Sequence, residues 1–164
     1  MVKSAVVIVL AVATPAAAEP PAQIQADLGL AVVGIGYEKP LGDHLAIMGE
    51  AQIFGTYFLP WFDLGNNVTG LGIQARGTWF RDDNHHGLYA TGYLRYDEVS
   101  DDADHSTLGF CGGVVAGWAF PATQKLDVRV GGGVQYMRYE SITTDIDTPF
   151  IALDLVVGYR LAQP

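Results

Sequence analysis

The clearest pattern in the chain is the alternation of apolar and polar residues in the segment 126–139, LDVRVGGGVQYMRY. A period of two indicates a β-strand, because successive side chains leave a strand on opposite faces. The segment is longer than the ~5–6 residues of an ordinary strand and is long enough for a membrane-spanning strand, which needs about 9–11 residues. One face is apolar: Leu126, Val128, Val130, Gly132, Val134 and Tyr136. The pattern therefore predicts a transmembrane β-strand with Asp127 and Arg129 on its other face.

Six further segments alternate in the same way, and turn-rich breaks separate them. They are 33–38, 45–57, 71–80, 88–97, 108–120 and 151–160. The breaks alternate between short ones, at 39–44, 81–87 and 121–125, and longer ones, at 58–67, 98–106 and 140–149. Bacterial barrels have short periplasmic turns, longer outer loops and an even number of strands. We therefore predict an all-β, antiparallel up-and-down transmembrane barrel of eight strands, whose first strand lies within 23–30 and turns around 29–34.

Three features favour a membrane barrel over a lipocalin-like soluble barrel, which would bury the apolar face. After the N-terminal segment the only lysines are Lys39 and Lys125, both in turns, whereas a solvated strand face is usually rich in lysine. The polar face carries nearly matched charges, as an enclosed interior requires. Aromatic residues sort to the strand ends, as in the two girdles of a membrane barrel. The predicted membrane-interface aromatics are Tyr37, Tyr57, Trp79, Tyr96, Trp118, Tyr136 and Tyr159.

The N-terminal segment 1–18 has the features of a secretory signal peptide. A basic start with Lys3 precedes an apolar run, and the small residues Ala16, Ala17 and Ala18 follow before Glu19. The apolar run is too short to span a bilayer as a helix. We therefore assign 1–18 as signal peptide and 19–164 as one outer-membrane β-barrel domain, which places the protein in the outer membrane of a Gram-negative bacterium.

Composition narrows the classes of function. The chain has 164 residues, a net charge of −9 and one cysteine. The negative charge argues against nucleic acid as a partner, because phosphate binding needs a basic face. A single cysteine, Cys111, cannot form an intramolecular disulfide, and we expect it to be a small buried side chain inside the barrel.

The signal peptide, the alternating strands and the final segment Val157-Gly158-Tyr159-Arg160-Leu161 resemble the small eight-stranded outer-membrane barrels of the OmpA transmembrane-domain and OmpX type. The resemblance is one of pattern over the whole mature chain. It implies a fold and a location, but no activity. It also implies outer-membrane lipid, lipopolysaccharide and the barrel-insertion machinery as partners, and we expect a monomer.

The polar face predicts a network of charges inside the barrel. At eight strands the interior is just filled by side chains, so we expect a closed, salt-bridged lumen and a structural or interaction role. A narrow passive channel for water or small solutes is the alternative, because several interior positions are glycine. The predicted network is Glu38, Glu50, Arg76, Arg95, Asp127, Arg129, Asp154 and Arg160.

A third alternative is a lipid A-modifying hydrolase that uses His105 and Ser106, since a histidine can activate a serine for nucleophilic attack. In lipid A deacylases the pair is spaced His-x-Ser, whereas His105 and Ser106 are adjacent and would point to opposite faces of a strand. We therefore predict no catalysis, no cofactor and no metal site. The polar turn that holds His85 and His86 is expected to be a solvated turn.

Overall fold

Eight antiparallel strands form one closed barrel in the computed structural model, which describes residues 20–55, 69–100, 106–140 and 145–162. Each strand pairs with its neighbours in sequence, and β1 pairs with β8 to close the sheet. This confirms the predicted fold class. The strands are β1 (Gln23–Leu28), β2 (Val32–Pro40), β3 (Leu45–Gly55), β4 (Thr69–Asp82), β5 (His86–Ser100), β6 (Ser106–Pro121), β7 (Leu126–Glu140) and β8 (Asp145–Arg160).

The first strand, predicted only from the need for an even number of strands, is present as β1. It pairs with β2 from Gln23 opposite Glu38 to Leu28 opposite Val33, and the turn between them is confined to residues 29–31. The predicted signal peptide, 1–18, lies outside the described residues.

Several strands extend further into the predicted outer loops than the alternation indicated. β5 continues to Ser100 and β8 begins at Asp145, so the loops are shorter than the predicted ranges 98–106 and 140–149. The strands continue beyond the apolar alternation because backbone pairing does not need apolar side chains. These strands have 15 or 16 residues, more than the about 9–11 that cross a bilayer.

The outer wall of the barrel is apolar. Along each strand, buried and exposed positions alternate, and the exposed ones are dominated by leucine, isoleucine and valine, such as Leu71, Val114 and Val134. A continuous apolar band around the whole barrel far exceeds the few hundred Å² of apolar patch that a typical water-soluble monomer exposes, and it fits a lipid-facing surface. No helix in the described ranges has the length and apolar character needed to cross a bilayer.

Two short turns on the same end of the barrel hold each other in place. The β4–β5 turn passes through Asn84 and His85, whose φ angles are 61° and 60°, a region uncommon for residues other than glycine, in which asparagine, aspartate and histidine are enriched. His85 is held there because its ring stacks on Phe80, with centroids 4.5 Å apart, and its Nε2–H donates to the carbonyl oxygen of Gly42 at 2.9 Å. The polar turn is thus ordered, and His85 is buried in it rather than solvated as predicted.

Candidate functional site: the ion-paired interior

The structure places the predicted charge network inside the barrel. Seven of its eight members are buried, and Arg160, at the inner mouth formed by the short turns, is partly buried. Each lies on the face of its strand opposite the exposed leucines, isoleucines and valines. The buried members are Glu38, Glu50, Arg76, Arg95, Asp127, Arg129 and Asp154.

Two ion pairs fill the inner third of the barrel. Arg129 forms a two-pronged pair with Glu38, at 2.7 and 2.5 Å, and its guanidinium lies 4.8 Å from the ring centroid of Phe80. Arg160 forms a similar pair with Asp127, at 2.7 and 2.6 Å. Planar guanidinium and carboxylate groups match in this geometry. The Glu38–Arg129 pair joins β2 to β7 across the lumen, whereas the Asp127–Arg160 pair joins the neighbouring strands β7 and β8.

The same mouth also contains a histidine and an amide. His86 Nε2 lies 2.6 Å from Arg160 Nη2 and 3.2 Å from Asp127 Oδ1, and Gln23 Nε2 donates to Asp127 Oδ2 at 2.7 Å. In the neighbouring turn, burial lowers the pKa of His85, which favours the neutral ring, and its Nε2–H donates to the carbonyl oxygen of Gly42. Neither histidine behaves as a solvated turn residue.

Arg76 is the central cation of the middle third. It pairs with Asp27 on β1 and with Asp154 on β8, the latter at 2.9 Å. Asp154 also accepts a hydrogen bond of 2.5 Å from the hydroxyl of Tyr89. Glu50 lies at this level too, and its Oε2 accepts a hydrogen bond of 3.1 Å from Gln74.

Arg95 organises the outer third. Its Nε lies 3.2 Å from Asp97 Oδ2, and both its Nε and its Nη2 donate to the hydroxyl of Tyr139. That hydroxyl donates in turn to Asp97 at 2.7 Å, and Gln52 donates to the other oxygen of Asp97 at 2.8 Å. All of these groups are buried, so the carboxylate is enclosed by donors.

Two apolar clusters also pack inside the barrel, one toward each end. At the outer end, buried residues pack around Phe54 and Tyr139, whose rings stack with centroids 4.7 Å apart. At the inner end a second cluster surrounds Phe80 and Tyr89. The cavity that remains beside Arg76 has a volume of about 20 Å³, which is enough for about one water molecule.

Comparison with known proteins supports this architecture. The sequence matches no protein-family model, and no curated protein matches it. Among solved structures, Neisserial surface protein A (NspA) superposes with a TM-score of 0.54 at 14% identity, over 85% of this chain and 94% of that one. The chain has the fold of a small outer-membrane barrel. At 14% identity the likeness concerns the fold alone.

The predicted interface aromatics of the described chain lie on the outer wall. Tyr37, Trp79, Tyr96, Trp118, Tyr136 and Tyr159 are all exposed to a similar degree, and Tyr57 lies outside the described residues. Tyr37 and Tyr159 flank Ile24 of β1 in one row at the inner end. The outer row also contains Phe110, opposite Tyr96, which the sequence analysis did not include.

The pair predicted for the hydrolase alternative is only partly described. His105 lies outside the described residues, and Ser106 is an exposed residue at the start of β6 whose hydroxyl donates to Glu98 at 2.9 Å. Cys111 is fully buried, with its Sγ 3.2 Å from Gln135 Oε1.

Sequence reasoning missed two acids and two tyrosines of the interior network. Asp27 was missed because β1 was inferred only by strand count, although Gln23, Gln25 and Asp27 alternate there with apolar residues. Asp97 was assigned to the polar face of its strand but left out of the network, and Tyr89 and Tyr139 were not included in it. With Asp27 and Asp97 included, carboxylates outnumber guanidinium groups in the described interior, so the charges are not matched as the sequence analysis expected.

Proposed function

We propose that the protein is a structural or interaction component of a bacterial outer membrane, a barrel whose closed interior stabilises the wall and whose outer strands present a surface to partners. The observation that carries this proposal is the filled lumen. Ion pairs occupy its inner, middle and outer thirds, an apolar cluster packs toward each end, and the cavity beside Arg76 has room for about one water molecule. A hydrated ion needs a continuous path, and these clusters interrupt it.

The exterior supports the membrane location. The apolar band meets lipid, two rows of aromatic residues lie near its edges, and the strands that exceed the bilayer thickness carry exposed polar groups such as Glu98 and Asp147 at their outer ends. Outer-membrane lipid, lipopolysaccharide at the outer rim and the barrel-insertion machinery are the partners that such a surface implies. We propose a monomer, and the signal peptide at 1–18 as the export signal.

Planar-bilayer recording tests the closed lumen. The refolded protein should produce no conductance steps across a range of voltages, while insertion is verified by resistance to added protease and by heat-modifiable migration on a gel. A conductance in the inserted protein would contradict the proposal and favour the narrow channel. If the folded protein were recovered from the soluble periplasmic fraction instead of the membrane fraction, the proposed outer-membrane location would be contradicted.

A further inference from the structure

An apolar groove crosses the outer wall of the barrel from β2 to β7. Its volume is about 1180 Å³, more than the roughly 300–1,000 Å³ of an ordinary small-molecule site, so it has room for a ligand with long chains. Tyr37 and Lys39 lie at its β2 end, and Tyr136 lies at its β7 end. The strands of a membrane barrel are tilted by about 35–45°, so the row of paired residues from Tyr37 to Tyr136 climbs the wall from the inner aromatic row to the outer one.

Small residues on three neighbouring strands form the floor of the groove. Gly49 of β3 is opposite Ala75 of β4, and Gly77 of β4 is opposite Gly92 of β5. All four positions are exposed on the outer face. None of them has a side chain larger than a methyl group, so the backbone is uncovered there. The larger exposed side chains that border this floor are Ile47, Leu94 and Val114.

Packing within the barrel does not explain the glycines of the floor. A Cβ built at Gly49, Gly77 or Gly92 would have no atom of the described residues within 4 Å. In contrast, a Cβ built at the inward-facing Gly133 would overlap the carbonyl oxygen of Val114. Strand pairing continues through the three floor glycines without a register shift, so they do not mark β-bulges. Glycine weakens the interior of a strand, and one use that offsets this cost is to let a ligand approach the backbone closely.

A positive charge lies at the inner end of the groove. Lys39 is the last outward-facing residue of β2, it is exposed, and no carboxylate of the described chain pairs with it. Across the strand pairs, Lys39 is opposite Ile47, and Ile47 is opposite the floor residue Gly77. Tyr37, on the same face of β2, belongs to the inner aromatic row, which marks the level of the lipid headgroups. A lysine at this level extends its ammonium group toward those headgroups.

Acidic residues follow on the aqueous side of Lys39. Asp43 lies in the β2–β3 turn, and Asp83, in the next turn along the rim, is 3.5 Å from His44. From the lipid toward water, the charge of the protein therefore changes from positive to negative. A zwitterionic headgroup complements this order, because its phosphate lies next to the acyl chains and its ammonium group lies beyond the phosphate.

We propose that the groove binds one diacyl phospholipid with an ethanolamine headgroup, its phosphate on Lys39 and one acyl chain over the floor of the groove. The phosphate supplies the counter-charge of Lys39, and the ammonium group of the headgroup faces Asp43. The acyl chain fills the space above the glycines, so it packs closer to the backbone than lipid does elsewhere on the wall. The proposal rests on the proposed membrane location and specifies one class of lipid for this part of the wall.

Native mass spectrometry of the barrel tests the proposal. Barrel purified from membranes is placed in nanodiscs with equal amounts of phosphatidylethanolamine and phosphatidylglycerol that have identical acyl chains. Collisions then remove lipid until one molecule per barrel remains, and its mass identifies the headgroup. We expect phosphatidylethanolamine on the wild type. Lys39→Gln should lower the fraction of barrels that keep a lipid by about fivefold, as the loss of one lysine's attraction to lipid phosphate implies. Gly77→Leu should lower it to a similar extent, because the new side chain occupies the floor.

Two matched variants change the same residue types outside the groove. Gly132→Leu adds the same side chain at an exposed glycine of β7 that does not line the groove, and Lys125→Gln removes an exposed lysine from the β6–β7 turn. Both should keep the lipid as the wild type does. Heat-modifiable migration on gels verifies that each variant is folded.

Three outcomes would overturn the proposal. The first is loss of the last lipid at the same collision energy from the wild type, Lys39→Gln and Gly77→Leu. The second is retention of phosphatidylglycerol in place of phosphatidylethanolamine. The third is a lipid-free dimer, which would assign the groove to a second copy of the chain. A folded barrel in the soluble fraction contradicts the membrane location instead, so failure of the location and failure of the lipid site are distinguishable.

Discussion

The pair of Glu38 and Arg129 offers the sharpest test of how the interior is stabilised. Both side chains are almost completely buried, with exposed fractions of 2% and 3%, and they form two hydrogen bonds of 2.5 and 2.7 Å. Glu38→Gln keeps the shape of the side chain but removes its charge. The Arg129 guanidinium is then left buried without a counter-charge, and the glutamine amide keeps one acceptor oxygen for it beside the Phe80 ring.

Breaking a buried pair by removing one partner costs about 3–5 kcal/mol, because one charge stays desolvated without compensation. With a urea dependence of about 2 kcal/mol per molar, this loss moves the unfolding midpoint down by roughly 2 M. The double substitution Glu38→Leu with Arg129→Met removes both charges and keeps similar volume. It should therefore unfold at or above the urea concentration of the wild type, since replacing both partners with apolar groups is often neutral or stabilising.

The assay is urea unfolding of the refolded barrel in detergent micelles, followed by circular dichroism and by gel mobility without boiling. Glu140→Gln is the matched control, because Glu140 pairs with Arg138 at 2.6 Å but both side chains are more than half exposed. We expect this control to lose at most about 1 kcal/mol. If Glu38→Gln unfolds like the control, or if the double variant unfolds at a lower urea concentration than Glu38→Gln, the account of the interior is wrong.

Three further predictions concern the wall and the turns. Val134→Arg should destabilise the barrel by about 2–4 kcal/mol in lipid bilayers, because Val134 is 60% exposed on the apolar face. The folded fraction is measured on gels without boiling. If it equals that of the wild type, Val134 does not face lipid. Gly133→Ala should cost about 1–3 kcal/mol in urea unfolding, because its Cβ would overlap the carbonyl oxygen of Val114, whereas the matched Gly132→Ala, whose nearest neighbour would be 3.8 Å away, should change little. Burial lowers the pKa of His85 below its ordinary value of 6.5, so the unfolded chain binds the proton more readily and stability falls as the pH drops through that value. Asparagine at position 85 tolerates the left-handed backbone but cannot titrate in this range. Between about pH 7 and about pH 5 the free energy of unfolding of His85→Asn should therefore fall less than that of the wild type. Equal losses would refute this account.

The barrel and the orientation of its faces could be predicted from sequence because both depend on a period of two. In β7 the valines at 128, 130 and 134 face outward to differing degrees, and Asp127 and Arg129 face inward. The weaker prediction was at the N-terminus, where β1 has only six residues and its apolar positions include Ala26. A short strand shows too few repeats of the pattern to be recognised without the constraint of an even strand number.

Pairing inside the barrel could not be predicted, because it depends on which strands face one another across the lumen. Arg129 on β7 meets Glu38 on β2, and Arg76 on β4 meets Asp27 on β1. Neither pair is adjacent in the sheet, so neither follows from register. The buried state of His85 was missed for a similar reason, since the carbonyl of Gly42 that holds it belongs to a different turn.

The pairing of β1 with β8, which closes the barrel, affects the order in which the barrel assembles. β1 and β8 meet only from Gln23 opposite Arg160 to Asp27 opposite Val156, whereas β7 and β8 stay paired along almost their whole length. Every other pairing joins consecutive strands, but this one must bring together the two ends of the domain, at the largest loop-closure entropy in the sheet. We therefore infer that this seam forms last and opens first, and that amide protons along it exchange with solvent before those of β5, β6 and β7.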